Sequence, residues 1–134
     1  MLFRTEKLSK HRRAVDPTAA RRLAHAPSWD WRPGMLALCD DQELPHGIRI
    51  TGPSSRGRVI HSRRPRIPAV DDAATVGAIL GLLSGIYVAD CVLEHRERQW
   101  RVAWPVGAEA WADASGWRRT AGEALAAALD RADG

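Results

Sequence analysis

Lysine is almost missing from this chain: Lys7 and Lys10 are the whole supply, against eighteen arginines in 134 residues. Cysteine is equally scarce. Cys39 and Cys91 stand far apart with no Cys-x-x-Cys spacing, which excludes a disulfide scaffold and fits a reducing cytosol. No apolar stretch long enough for secretion follows the opening Met-Leu-Phe, where Arg4 and Lys7 intervene. One uncharged run, residues 73–89, reaches the short end of what spans a bilayer. It holds three glycines, Thr75 and Ser84 and is flanked by Asp71, Asp72 and Asp90, so it reads as a buried helix running into a buried strand rather than a membrane segment. What remains is ordinary for a soluble chain, 45% hydrophobic and 27% charged, of a length that makes one domain and places it in the cytoplasm.

Charge is distributed unevenly. Residues 1–70 carry fourteen Arg or Lys and six Asp or Glu, a balance of +8, while residues 71–134 carry six and ten, a balance of −4; the sum is the net +4 of the chain. No acidic residue occurs from Leu44 to Val70, a stretch that contains Arg49, Arg56, Arg58, Arg63, Arg64 and Arg66. A basic half beside an acidic half favours an anionic partner on one side, or charge-steered binding to another protein.

Residues 1–15 read as a basic arm and 16–134 as a single α+β domain. Asp16-Pro17 signals a helix start, with Asp16 as N-cap and Pro17 at the first helical position. Short strands are expected at residues 35–39, 47–51 and 58–62, with Gly52-Pro53-Ser54-Ser55-Arg56-Gly57 as a hairpin loop and Pro65 to Pro68 as a stiff connector. Asp71 or Asp72 then caps a helix with the apolar stripe Val76, Ile79, Leu80 and Leu83, terminated at Gly85. Strands follow at residues 86–93, 99–106 and 109–114. In the middle one, Trp100, Val102, Trp104 and Val106 alternate onto one face. Thr120-Ala121-Gly122-Glu123 is a capping box before a last helix with Leu125, Ala128, Leu129 and Ala132 inward. The expected fold class is therefore α+β: a compact single domain, an antiparallel sheet packed with about three helices.

Catalytic patterns are hard to find. His11, His25, His46, His61 and His95 pair with no cysteine or histidine at zinc-finger spacing, and Asp40-Asp41 would point to opposite faces of a strand. Both lysines lie in the arm, away from any nuclease-like carboxylate cluster, and Ser54 and Ser55 lack a nucleophile elbow. No metal, cofactor or catalytic residue is expected, so the chain reads as a non-enzyme.

Tryptophan is the exception to the shortage of aromatics, with six copies against one Phe and one Tyr. Trp100 and Trp104 sit where a core needs them. Trp29, Trp31, Trp111 and Trp117 fall near turns or strand ends, beside Arg32, Arg118 and Arg119. Exposed Trp next to Arg is common in interface hot spots and in base stacking. Trp29, Trp31, Arg32, Trp111, Trp117 and Arg118 are accordingly the candidate protein-binding residues. Arg56, Arg58, Arg63, Arg64 and Arg66 are the candidate nucleic-acid contacts. The glycine edge Gly77-Gly81-Gly85, or a free edge strand, is a candidate homodimer surface.

The segment from Leu23 to Met35, with Trp29-Asp30-Trp31-Arg32-Pro33-Gly34-Met35 at its end, resembles the Trp-x-Trp-x-Pro-Gly-Met segment of small uncharacterised proteins from phages and prophages. Asp71 to Leu80 is similar to their Asp-Pro-Ala-Thr-x-Gly segment and Leu-rich helix, and Thr120 to Leu125 to their Thr-x-x-Glu-Ala-Leu helix. The three motifs occur in the same order across most of residues 20–130. The basic arm and residues 56–66 are outside this likeness. The resemblance implies only a phage accessory protein without catalytic residues; small size, cytosolic composition, the absence of catalytic residues and the Trp and Arg candidates favour one that binds a host or phage protein complex in the bacterial cytoplasm. Its most concrete form is an inhibitor of a bacterial defence system, similar to an anti-CRISPR protein. The alternative is a nucleic-acid-binding accessory protein that uses the Arg-rich segment, for which salt-dependent binding is expected.

Overall fold

The computed structural model describes residues 15–40 and 47–134. The basic arm expected over residues 1–15 lies outside them except for Val15, as do His11, Asp41 and His46. Helix α1 (Pro17–His25) begins on proline, where a missing N–H costs nothing. Asp16 stands at the N-cap position as expected, but its side chain makes no capping bond. Its backbone is left-handed, with φ at 49°, and its carboxylate accepts a hydrogen bond from the Thr120 hydroxyl, so it ties α1 to the last helix instead.

Strand β1 (Leu36–Cys39) is the centre of the first sheet, between β2 (Ile48–Arg49) and β3 (Arg66–Pro68), with both pairings antiparallel. Two expectations fail here. Residues 58–62 form no strand, because helix α2 (Pro53–Ile60) runs through them and leaves Val59 as its buried residue. Ser55 Oγ accepts the backbone N–H groups of Thr51 at 2.8 Å and Gly52 at 3.2 Å, and Pro53 takes the first turn, so the supposed hairpin loop is a capped helix start. The proline connector is β3 itself. Pro68 can pair with Ala37 because β3 is an edge strand, where a missing donor is tolerated.

Helix α3 (Ala73–Tyr87) is capped by Asp72, whose carboxylate accepts the Thr75 N–H at 3.0 Å and its hydroxyl hydrogen at 2.7 Å. It does not stop at Gly85. An interior glycine costs only about 1 kcal/mol against alanine, and the Tyr87 hydroxyl anchors the last turn by donating to the Ala128 carbonyl at 2.7 Å. Val88, with φ at 53°, ends the helix. The face turned inward is also rotated from the expected stripe: Thr75, Ile79, Leu82 and Leu83 are buried, while Val76 and Leu80 are half-buried.

The second sheet is antiparallel, in the order β4 (Val92–Arg96), β5 (Gln99–Pro105), β6 (Trp111–Asp113). Its first strand starts at Val92 rather than residue 86, since Ile86 and Tyr87 belong to α3. Glu97 and Arg98 turn the hairpin with positive φ at both positions, the two-residue geometry that matches strand twist. Helix α4 (Ala121–Asp133) is capped by Thr120 Oγ1, which accepts the Glu123 N–H at 3.0 Å. Gly122 and every residue from Ala124 to Leu129 are buried, a wider face than the four-residue stripe expected. The cause is company on several sides: α4 packs against α1, α3 and β5, and its alanines allow close approach to each. Helix α1 packs on β3 as well as on α4, so the two helices link the sheets. The result is a compact α+β fold. The described residues form four helices and two small antiparallel sheets, in keeping with the antiparallel sheet and helices expected. No helix among them is long and apolar enough to cross a membrane.

Candidate functional site

The second sheet has an inner face, on which Val102, Trp100 and Trp104 meet the core, and an outer face on which Val92, Arg96 and Trp111 are exposed. Period-two alternation places Val92, Glu94 and Arg96 of β4, Arg101 and Ala103 of β5, and Trp111 and Asp113 of β6 together on that outer face. Arg101 organises it. Its Nε donates to Glu94 Oε1 at 2.8 Å, its Nη1 lies 3.7 Å from Asp113 Oδ2, and its guanidinium carbon stands 4.8 Å from the Trp117 ring centroid. Arg96 approaches the same ring at 5.8 Å. Trp111, 47% exposed, is the most exposed tryptophan of the described residues, and Val92, on the opposite edge strand of the same face, is exposed too. The face thus carries an apolar end around Trp111 and a charged end around Trp117. Arg118 holds the second end in place through backbone bonds with Trp100, 2.7 Å each way, and through Nε to the Ser115 carbonyl at 2.7 Å.

Trp29 and Trp31 occupy a different corner. Their rings meet edge to face, 5.1 Å between centroids, and both are half-buried against the core. The Trp29 Nε1–H is buried and has no hydrogen-bond partner among the described residues. Arg32 Nε donates to Asp30 Oδ2 at 3.3 Å, and Arg56 Nη2 to Asp30 Oδ1 at 2.9 Å. The Arg56 guanidinium holds the Asp30 carboxyl below the usual carboxylate range, against the opposing pull of burial. The six expected protein-binding residues are therefore divided: Trp111, Trp117 and Arg118 belong to the outer sheet face, Trp29, Trp31 and Arg32 to the α1–β1 connection.

The expected nucleic-acid contacts are also divided. Arg56 donates through Nε to the Trp31 carbonyl at 2.8 Å besides its pairing with Asp30. Arg66 donates to Ser62 Oγ at 3.2 Å and to the Ala37 carbonyl at 3.4 Å. Arg64 is engaged too. Arg58 and Arg63 are exposed and form no ion pair with the described residues.

The chain matches no family model, no curated protein and no solved structure.

Three or more His, Cys, Asp or Glu side chains nowhere gather in a metal-binding group among the described residues. Cys91 is buried, and that burial pushes its thiol pKa up, away from the reactive thiolate. Burial likewise raises the Tyr87 hydroxyl, which is already committed to Ala128. One concavity was not anticipated. A groove of about 560 Å³ opens between α3 and β4, walled by Val76, Gly77 and Leu80 on one side and Leu93 and Trp100 on the other. Val76 and Leu80 look like core in the sequence because their spacing is helical; only the tertiary packing shows that they line a groove.

Proposed function

We propose that this protein is a non-enzymatic accessory protein that acts by binding another protein complex. The phage likeness makes an inhibitor of a bacterial defence system, similar to an anti-CRISPR protein, its most concrete form. The observation that carries the reading is the outer face of the second sheet, where an exposed Trp111 shares a face with an Arg101–Glu94–Asp113 charge cluster stacked on Trp117. A large aromatic anchor bordered by fixed charges is the composition of an interface hot spot with its polar rim. Nucleic-acid binding through residues 56–66 has less support, since Arg56, Arg64 and Arg66 are already engaged and only Arg58 and Arg63 form no ion pair with the described residues.

The test is affinity purification of the tagged protein from a bacterial host lysate treated with nuclease, beside a Trp111→Ser variant. The expected result is a stoichiometric protein band that survives nuclease and is lost with Trp111→Ser. Capture of nucleic acid alone, or a band indifferent to Trp111, overturns the reading.

A further inference from the structure

We infer that the protein bound by the outer sheet face presents an acidic segment, whose carboxylates land on arginines at the β4–β5 hairpin end while its apolar part reaches Trp111. The inference rests on the outer-face reading above and names the chemistry of that partner.

The first observation is where strand register puts the charges. Arg96 pairs with Gln99 across the hairpin, and the antiparallel bridge between Trp100 and Arg118 brings Arg119 beside Gln99 on the other side of β5. Glu97 and Arg98 form the turn. Arg96, Arg98 and Arg119 are exposed and form no ion pair with the described residues. Within residues 95–100 and 117–119, Glu97 is the only acidic residue against four arginines. This end of the face is therefore cationic, although it belongs to the acidic half of the chain.

The second is shape and commitment. A concavity of about 290 Å³ opens at the hairpin end, lined by Arg96, Glu97, Gln99 and Trp117. Arg96 lies over the Trp117 ring at 5.8 Å from its centroid. An arginine over a ring uses the face of its guanidinium and keeps its N–H groups in the plane, where a carboxylate takes two of them at once. The sheet's own carboxylates are held elsewhere. Glu94 accepts from Arg101 at 2.8 Å, and Asp113 Oδ1 accepts the N–H groups of Ser115 at 3.0 Å and Gly116 at 2.7 Å.

The third separates a polypeptide from a nucleic acid. Along the face the arginines of the hairpin end give way to Glu94 and Asp113 around Arg101, then to Trp111. A nucleic-acid strand carries a phosphate at every nucleotide, so one running along the face meets both carboxylates. A polypeptide is free to be acidic at one end and apolar at the other. Gln99 and Pro105, the ladder partners of Arg96 and Trp111, stand about 20 Å apart along β5. An extended segment that covers this span places its acidic and apolar residues about six positions apart.

The probe is a phage-displayed library of random dodecapeptides, selected on the full chain and counter-selected on the charge-reversed Arg96→Glu/Arg119→Glu variant. Both positions are exposed, so the variant folds. Selected peptides are then synthesised for calorimetry. Expected are 1:1 binding that weakens with salt, winners with Asp or Glu about six positions from an aromatic or aliphatic residue, at least tenfold weaker affinity for Arg96→Glu/Arg119→Glu, and a severalfold loss with Trp111→Ser. Arg58→Glu/Arg63→Glu makes the same change in net charge elsewhere and should leave affinity within about twofold. Equal enrichment on the charge-reversed protein, winners without acidic residues, or an equal loss with Arg58→Glu/Arg63→Glu overturns the inference. So does binding of a single- or double-stranded oligonucleotide that is lost with Arg96→Glu/Arg119→Glu, which would make nucleic acid the occupant. Lysate capture that is lost with Trp111→Ser but untouched by Arg96→Glu/Arg119→Glu overturns this inference alone. Capture indifferent to Trp111 overturns the reading on which it rests.

Discussion

Arg49 on β2 grips Asp72 at the start of α3 with both nitrogens of its guanidinium, Nη2 lying 2.9 Å from Oδ1 and Nη1 bonded to Oδ2. The same carboxylate caps α3 through Thr75, and Thr75 Oγ1 accepts the Leu36 N–H of β1 at 2.8 Å. One aspartate therefore joins two strands and a helix. The Arg49 guanidinium holds its carboxyl well below the usual range, with Thr75 adding to the effect and burial opposing it. A depressed carboxyl contributes stability above its unfolded value of about 3.9 and loses it as pH falls further. Asp72→Asn keeps a capping side chain but removes the charge and should cost about 1–2 kcal/mol at pH 7. In urea titrations the gap to wild type should begin to close below about pH 4 and go on narrowing towards pH 2. A gap that stays constant with pH would show that the charge contributes nothing.

Two glycines of the same helical class should respond in opposite directions to alanine. A Cβ on Gly122 would lie 2.9 Å from Asp16 Oδ2, 3.1 Å from Val70 Cγ2 and 3.2 Å from Ala19 Cβ, so α4 can approach α1 only without it. Gly122→Ala should lose about 1–3 kcal/mol by overpacking. Gly81 in α3 has nothing within 4 Å of that position. Gly81→Ala should gain about 1 kcal/mol from helix propensity. Thermal unfolding of the pair beside wild type checks both signs at once.

Val88 ends α3 in the left-handed region and is 88% exposed, so its side chain contributes little packing against the strain of a β-branched residue there. Val88→Gly should raise stability by about 1 kcal/mol and move the melting temperature up by a few degrees. A drop in melting temperature would mean that the valine is covered by contacts its exposure does not show.

Local signals were legible wherever one residue type has one dominant use. Pro17 opened α1, Asp72 capped α3, Thr120 capped α4, and the alternation of Trp100, Val102 and Trp104 gave β5 its inner face. The misreadings share a cause. Arg58-Val59-Ile60 has too few apolar residues to distinguish periods of 2 and 3.6, and the decisive bond is Ser55 Oγ to the backbone, a helix start that resembles a turn. The role of Pro68 depended on β3 being an edge strand, and that of Gly85 on the anchoring of Tyr87 forty-one residues away. Asp16 and Thr120 looked like two independent caps; their mutual bond spans |i−j| of 104 and leaves no trace in local pattern. For the candidate surfaces, composition drew attention to Trp111 and Trp117, but which face they share follows from strand register, and the groove follows from tertiary packing alone.

Arginines that looked like one basic patch should separate into structural and silent ones. Arg56 spans from α2 to Asp30 and to the Trp31 carbonyl, closing the corner where Trp29 and Trp31 meet. The ion pair is exposed and contributes little by itself, but the bond to the carbonyl has no replacement when the guanidinium is removed. Arg56→Ala should therefore cost about 1 kcal/mol, with a change in near-ultraviolet dichroism as the paired indoles shift. Arg58→Ala and Arg63→Ala, both at exposed positions without ion pairs among the described residues, should remain within about 0.5 kcal/mol of wild type. The double Arg58→Ala/Arg63→Ala variant also separates the two functional readings. If residues 56–66 bind nucleic acid, removing these two cations should flatten the salt dependence of binding by a slope of about 2. If the chain acts through protein contacts on the outer sheet face, the same variant should capture its partner as wild type does.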